Sequence, residues 1–123
     1  DPGLAVEHFR SGKHGIHVHE NGSCKDAGNA AGGHFNPDHA QHGFLPADGI
    51  NNVHAGDMGN IEISANGEGA LSVFLKGASL TEGNQYNLVG KSIILHEKED
   101  DFGQPTGNAG GRIGCGVIEL KRD

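Results

Sequence analysis

Gly15-Ile16-His17-Val18-His19-Glu20 is the stretch of the sequence that indicates the fold most clearly. Apolar and polar side chains alternate along it, so Ile16 and Val18 point to one face of a strand and His17 and His19 to the other. If Val18 faces the core, the two histidines lie side by side on the outer face, beneath whatever loop covers them. An isolated H-x-H pair is weak evidence for a metal site, because surface histidines explain it more simply.

Five further segments show the same strand-like alternation, at residues 4–9, 58–64, 70–75, 92–96 and 116–120. An Asn-Gly pair separates the second of these from the third, and it is a strong hairpin signal because both residues tolerate positive φ. No segment has a helical period of useful length. The sequence therefore predicts an all-β sandwich or barrel.

The composition supports this prediction and excludes several classes of protein. The chain of 123 residues suits a single domain, residues 1–123, and its 22 glycines argue against a helical bundle. A formal net charge of -7 argues against nucleic acid as a partner. No apolar run approaches the roughly 18 residues of a membrane span. Large apolar side chains are scarce, with no Trp and five Phe, so we expect a disulfide or a metal to stabilise the fold.

Two long segments without strand signals, residues 21–56 and 97–111, are typical of functional loops. The first segment and the residue just after it carry the pattern H-x7-H-x11-H-x2-D, formed by His34, His42, His54 and Asp57. Three imidazoles and a carboxylate suit Zn²⁺, and a metal would order a loop whose own side chains cannot. The alternative is a solvated polar loop with scattered histidines. His96 ends a predicted strand alone and indicates nothing by itself.

The two cysteines, Cys24 and Cys115, lie 91 positions apart. If they pair, the bond ties the start of the first long loop to the last strand and suits an oxidising compartment. The alternative is two buried free thiols, since two cysteines are too few to decide the question.

Five motifs, taken together and in order, resemble those of the copper/zinc superoxide dismutase family. They are HGIHVHE at 14–20, GHFNP at 33–37, HAGDMGN at 54–60, LHEKEDD at 95–101 and GNAGGRIGCGVI at 107–118. The order and approximate spacing match the family from about residue 3 to residue 120.

The resemblance implies a Greek-key, immunoglobulin-like β-sandwich or flattened barrel with long metal-binding and electrostatic loops. It implies copper and zinc as cofactors, with one imidazolate ring shared between them. The copper ligands would be His17, His19, His34 and His96. The zinc ligands would be His34, His42, His54 and Asp57.

Three further roles follow from the resemblance. Asp100 would link the copper ligand His17 to the zinc ligand His42 from outside the metal sites. Arg112 would attract and orient superoxide beside the copper. His34, the shared ring, would take up a proton and deliver it during the catalytic cycle.

The sequence also departs from the family pattern. Two strands that the family has before the one resembling residues 4–9 are lacking, which leaves six strands and an open sheet edge. A chain that has lost its start is the favoured explanation, and a strand supplied by a partner or a natural minimal version are the alternatives. Residues 104–111 contain no lysine and Lys98 lies among acidic residues, so we expect this loop to steer an anion only weakly.

The implied function is the disproportionation of superoxide to O₂ and hydrogen peroxide. The alternatives are a copper chaperone or metal store on the same scaffold and an inactive structural domain, and the complete ligand set favours the enzyme. The family's intrasubunit disulfide matches Cys24 and Cys115, which favours a secreted or periplasmic location over a cytoplasmic one. A homodimer stays open.

Overall fold

A computed structural model of the protein describes residues 10–120. Its regular structure is mostly one open antiparallel sheet of four strands in the order β2-β1-β3-β4. The strands are β1 (Gly12–His19), β2 (Asp57–Ile63), β3 (Ser92–His96) and β4 (Arg112–Val117). This confirms the predicted all-β fold and is consistent with the Greek-key sandwich.

The central strand, β1, is paired on both sides and is the frame on which the site is built. It pairs with β2 from Gly12 opposite Ile63 onward and with β3 around Ile16 opposite Leu95. The register shifts beside His17 in the first pairing, and a second shift lies at the end of β3, where it pairs with β4. Such irregularities bend a strand and re-aim side chains, and both lie next to histidines of the site.

The two faces of β1 have the division that the alternation predicts. Val18 is buried in an apolar cluster with Phe35, Ala55, Met58 and Leu88. On the opposite face His17 and His19 are also fully buried, because the two long loops cover them. The sheet therefore separates an apolar layer from a polar, histidine-rich layer.

Three predicted strands either differ from the structure or lie outside residues 10–120. Residues 70–75 form no strand, although the turn before them closes, with Ser64 N–H donating to the Glu68 carbonyl (2.7 Å). Alternation alone does not make a strand there, because no described neighbour pairs with it, and Phe74 is 78% exposed. The last strand was predicted at residues 116–120 but is Arg112–Val117, so it begins four residues earlier and ends three residues earlier than predicted. The predicted strand at residues 4–9 lies outside the described residues.

The first long loop is irregular apart from two short helical turns. A 3₁₀ turn covers Asn29–Ala31, and α1 covers Leu45–Asp48 with a proline in its first turn. The disulfide between Cys24 and Cys115 is present and fastens the start of this loop to β4.

Among residues 10–120, no helix has the length and apolar character that crossing a bilayer requires.

Candidate metal centre

The first half of the site, the strand half, is built mainly on the strands and consists of His17, His19, His34 and His96. His17 and His19 project from β1 and His96 ends β3, and all three are buried. His34 joins them from the loop, through an isolated β-bridge to His19 that brings their rings to 4.9 Å between centroids. One nitrogen from each of these four histidines lies within 4.8 Å of the others.

The second half, the loop half, consists of His34, His42, His54 and Asp57. It is built around Asp57, the first residue of β2. Its Oδ1 lies 2.9 Å from His42 Nδ1, 3.4 Å from His54 Nδ1 and 3.6 Å from His34 Nδ1. Its Oδ2 accepts hydrogen bonds from the backbone N–H groups of Gly43 and His54. Three imidazole nitrogens therefore converge on one carboxylate oxygen, as the spacing in the sequence predicts.

Five buried atoms within these two groups have no hydrogen-bond partner among the described residues. They are His17 Nδ1, His19 Nε2, His42 Nδ1, His96 Nε2 and Asp57 Oδ1. Buried polar atoms are almost always paired, so a cluster of unpaired acceptors points to a cation that they share. Their chemistry, imidazole nitrogens in the first group and nitrogens plus one carboxylate in the second, fits copper and zinc respectively.

The other ring nitrogens of the strand half are held by hydrogen bonds that fix each ring. His19 Nδ1 donates to the Gly32 carbonyl (2.8 Å) and His96 Nδ1 to the Gly110 carbonyl (3.2 Å). The buried His14 holds the end of β3, because its Nδ1 donates to the backbone carbonyl of His96 (2.8 Å). These contacts leave one nitrogen of each ligand ring free and aimed at the centre of the cluster.

Asp100 connects the two halves from outside. Its Oδ2 accepts from His17 Nε2 (2.8 Å), and both of its oxygens lie 2.9 Å from His42 Nε2. The Asn60 side chain holds the Asp100 backbone, accepting from its N–H (2.7 Å) and donating to its carbonyl (3.1 Å). Gly107, at φ +91°, packs so closely that a Cβ there would lie 2.0 Å from Asp100 Oδ1.

A second compact grouping replaces His54 by His17 beside His34, His42 and Asp57. We favour His54 as the member of the loop half, because His17 has a single unpaired nitrogen, Nδ1, and the grouping with His19 and His96 already uses it. The Nδ1 atoms of His34 and His54 lie only 3.0 Å apart and both face Asp57.

Burial and neighbouring charges set the protonation of the histidines. Burial lowers the pKa of His19 to about 3 and those of His34 and His96 to about 4, so these rings are neutral at pH 7. Burial also opposes charge on His42, but its close contacts with the carboxylates of Asp100 and Asp57 outweigh this and raise its pKa to about 9.

The two carboxylates stay ionised. Burial works against the charged form of each, but the surrounding histidines and the backbone N–H groups that contact them hold the pKa values of Asp57 and Asp100 well below their usual range. The pair therefore brings two negative charges into a buried cluster of imidazoles, an arrangement suited to cations.

Arg112 begins β4 at the edge of the strand half. Its guanidinium donates to the carbonyls of Gly28 (2.8 Å) and Gly32 (2.7 Å). Within residues 10–120 it forms no ion pair with a carboxylate, so its charge is not neutralised locally. Its charge lies close enough to oppose protonation of His19 and His96.

The comparison with known families agrees with this geometry. The family model described as copper/zinc superoxide dismutase matches residues 3–118. The chain belongs to the copper/zinc superoxide dismutase family.

Several relatives in this family share most of the chain. It is 44% identical over 121 residues to an extracellular superoxide dismutase [Cu-Zn] of Caenorhabditis elegans, covering 93% of this chain and 52% of the relative. It is 39% identical to one of Drosophila melanogaster, covering 96% of this chain and 66% of the relative. It is 40% identical to superoxide dismutase [Cu-Zn] 5 of Dictyostelium discoideum, covering 95% of this chain and 78% of the relative. The chain thus spans about half to three quarters of the length of these superoxide dismutases.

A solved structure shares the fold. The crystal structure of the clock protein EA4 superposes with a TM-score of 0.81 at 38% sequence identity, covering 92% of this chain and 73% of that chain.

Neither the spacing nor the family motifs give a role to two residues of the site, Asn60 and Gln104. Asn60 lies inside the motif at 54–60. Gln104 contacts His42 across 62 positions, and no spacing rule predicts such a contact.

Proposed function

We propose that this chain disproportionates superoxide with a bound copper and a bound zinc ion, according to 2 O₂⁻ + 2 H⁺ → O₂ + H₂O₂. Copper is assigned to His17, His19, His34 and His96. Zinc is assigned to His34, His42, His54 and Asp57. The observation that carries the proposal is the set of five unpaired buried ligand atoms, which divides between these two groups.

Copper, when bound, supplies the chemistry by taking an electron from one superoxide and giving one to another, which zinc with its filled d shell cannot do. The protein's part is to hold the ligand rings neutral and correctly turned. The low pKa values of His19, His34 and His96 and the hydrogen bonds to their other nitrogens serve that purpose.

His34 is the ring that both halves share. Its Nδ1 faces Asp57 and His54, which leaves Nε2 for the strand half. We assign to Nε2 the transfer of a proton to the reduced product, because a ring that held an ion at each nitrogen would be an imidazolate, whose nitrogen accepts a proton once it is free and can release it again.

Arg112 is assigned the attraction and orientation of the anion. The chain carries a formal net charge of -7, so only a local positive field can favour an anionic substrate. The guanidinium is held in place by two backbone carbonyls and is not paired with a carboxylate among the described residues. The complete ligand set and this arginine favour an enzyme over a copper chaperone or metal store.

The experiment measures superoxide consumption by the copper- and zinc-loaded protein with stopped-flow spectroscopy. Arg112→Ala should lower kcat/KM at least about tenfold, because hydrogen bonds to charged groups contribute about 1.5–3 kcal/mol. Lys98→Ala, which removes an exposed positive charge from the neighbouring loop, is the matched control and should leave kcat/KM within about twofold.

Two results would count against the proposal. Metal-loaded protein that consumes no superoxide would exclude the dismutase and leave the chaperone or metal store. Unchanged kcat/KM in Arg112→Ala would remove the anion-binding role from that residue.

We also propose that the protein is secreted. Three of the similar superoxide dismutases are named extracellular, and a disulfide persists best in an oxidising compartment.

A homodimer is the quaternary structure proposed, and sedimentation of the secreted protein tests it.

A further inference from the structure

His42 lies in a stretch of loop that has no strand or helix to hold it. It follows the isolated bridge of Gln41 and precedes α1, so its own peptide groups need partners from elsewhere. Its ring is nevertheless the most constrained in the site, with Nδ1 beside Asp57 and Nε2 on Asp100. A small shift of this backbone would disturb both contacts together.

Gln104 supplies the missing backbone partners. His42 N–H donates to Gln104 Oε1 (2.9 Å), and Gln104 Nε2 donates to the His42 carbonyl (2.7 Å). A carboxamide carries the same donor and acceptor as a peptide group, so this side chain pairs with His42 as a residue of a neighbouring strand would. The contact joins the second long loop to the first, 62 positions apart.

A parallel arrangement holds the other end of the same bridge. The Asn60 carboxamide pairs in the same two-bond manner with the backbone N–H and carbonyl of Asp100. The Asp100–His42 bridge is therefore held at both ends by a side-chain amide. Asn60 lies on β2, whose backbone is paired with β1. Gln104 lies on a loop and is exposed overall, so its two hydrogen bonds to the His42 backbone are what hold its side chain among the described residues.

We infer that Gln104 is a positioning residue for the zinc half of the site, acting through the backbone of His42. The inference rests on the proposed zinc role of His42. Gly43, the next residue, is held by Asp57 Oδ2 (2.8 Å), so side chains rather than secondary structure fix the whole ligand segment. Loss of Gln104 frees the His42 peptide and weakens Zn²⁺ binding, while the copper ligands on β1 and β3 keep their places.

The test compares Gln104→Met with Gln104→Glu in the full-length, metal-loaded protein. Methionine keeps the approximate shape and removes both hydrogen bonds. Glutamate keeps an acceptor for His42 N–H but places its second oxygen against the His42 carbonyl, so it should be at least as harmful. Gln41→Met is the matched control, because Gln41 adjoins His42 and its side chain makes no hydrogen bond to any residue between 10 and 120.

The primary measurement is Zn²⁺ affinity by competition with a chromophoric chelator, with Co²⁺ substituted for Zn²⁺ as a spectroscopic probe of the same site. Gln104→Met should bind Zn²⁺ about tenfold more weakly, the lower limit for loss of a group that orients a ligand. Its Co²⁺ spectrum should change, its copper content should not, and Gln41→Met should match the unaltered protein. A purely structural role would lower the melting temperature without changing Zn²⁺ affinity or the Co²⁺ spectrum.

A second measurement needs no variant and covers the case in which a variant does not fold. In the zinc-loaded, unaltered protein, the Gln104 carboxamide proton donated to the His42 carbonyl should exchange with solvent at least tenfold more slowly than the carboxamide protons of Gln41. Equal exchange rates would overturn the inference, as would Zn²⁺ affinity within twofold of normal in Gln104→Met. Failure of the unaltered protein to bind Zn²⁺ would instead overturn the proposed function, and the inference with it.

Discussion

The two halves of the metal centre are held in different ways. In the strand half, His17 and His19 stand on β1, whose backbone is paired on both sides, and His96 ends the neighbouring strand. In the loop half, His42 and His54 stand on irregular chain, and side chains hold their backbone.

This difference indicates how the site comes together. A paired strand holds its ligands before any ion arrives, because ladder hydrogen bonds fix the backbone and alternation aims the side chains. A loop of this length has no such ladder, so polar contacts and the ion itself must offset the cost of ordering it. Each change below is expected to act unequally on the two halves.

Replacing both Cys24 and Cys115 by serine should have the largest effect. The bond closes a separation of 91 residues, so the chain-entropy model predicts a loss of about 4–5 kcal/mol in the free energy of unfolding. Urea denaturation measures this loss. Hydrogen exchange should rise first in the loop after Cys24 and much less in β1, and equal rises in both regions would contradict the division into two halves.

Asp57→Asn should weaken Zn²⁺ binding at least about a hundredfold, because it removes the charge on which three imidazoles converge. Copper binding should change by less than about threefold, since that half is held by the sheet. Titration calorimetry with each metal makes the comparison. Asp26→Asn is the control, an exposed acidic residue in the same loop at φ 56°. Equal loss of both metals would contradict the separate support of the two halves by sheet and by loop.

The stability of the chelator-treated protein should fall as the pH is lowered from about 6.5. His19, His34 and His96 have folded pKa values of about 3 to 4, below the ordinary value of 6.5, so the unfolded chain binds more protons in that window. One pKa unit corresponds to about 1.4 kcal/mol, and we expect a loss of at least about 2 kcal/mol between pH 7 and pH 5. Urea titrations at a series of pH values measure it.

His42 should contribute with the opposite sign. Its folded pKa of about 9 means that its stabilisation is complete below about pH 6.5 and is lost as the pH rises through 9. The two trends place the stability maximum near pH 6.5 to 7. His39→Asn, which replaces an exposed histidine at φ 52°, should leave the profile unchanged. A flat profile from pH 5 to pH 9 would contradict the burial of these rings.

The smallest expected effect is that of salt on the reaction. Residues 104–111 contain no lysine, so kcat/KM should fall by less than about threefold between about 10 and 200 mM ionic strength. Thr106→Lys, at an exposed position in that loop, should steepen the dependence. A tenfold fall in the unaltered protein would show that positive charges other than Arg112 steer the anion.

Local periodicity predicted only that His17 and His19 share a face, and the family resemblance supplied the full set of the strand half. Ligand spacing predicted the loop half. Alternation around Val18 placed its two neighbouring histidines on the covered face, and the H-x7-H-x11-H-x2-D pattern identified the residues around Asp57. The family motifs added His96, which indicates nothing alone.

What the sequence could not predict depends on partners distant in the chain. Residues 70–75 alternate like a strand, yet no described strand pairs with them, and periodicity carries no information about that. Gln104 and Asn60 act through single contacts with residues 62 and 40 positions away, which leave no pattern in composition or spacing.

The position of His34 between both halves has a thermodynamic consequence. Because one ring serves both groups, the two binding equilibria cannot be independent, and filling either side alters the other by some factor. Linkage requires that factor to be the same in both directions. The total free energy of loading is therefore the same whichever ion binds first.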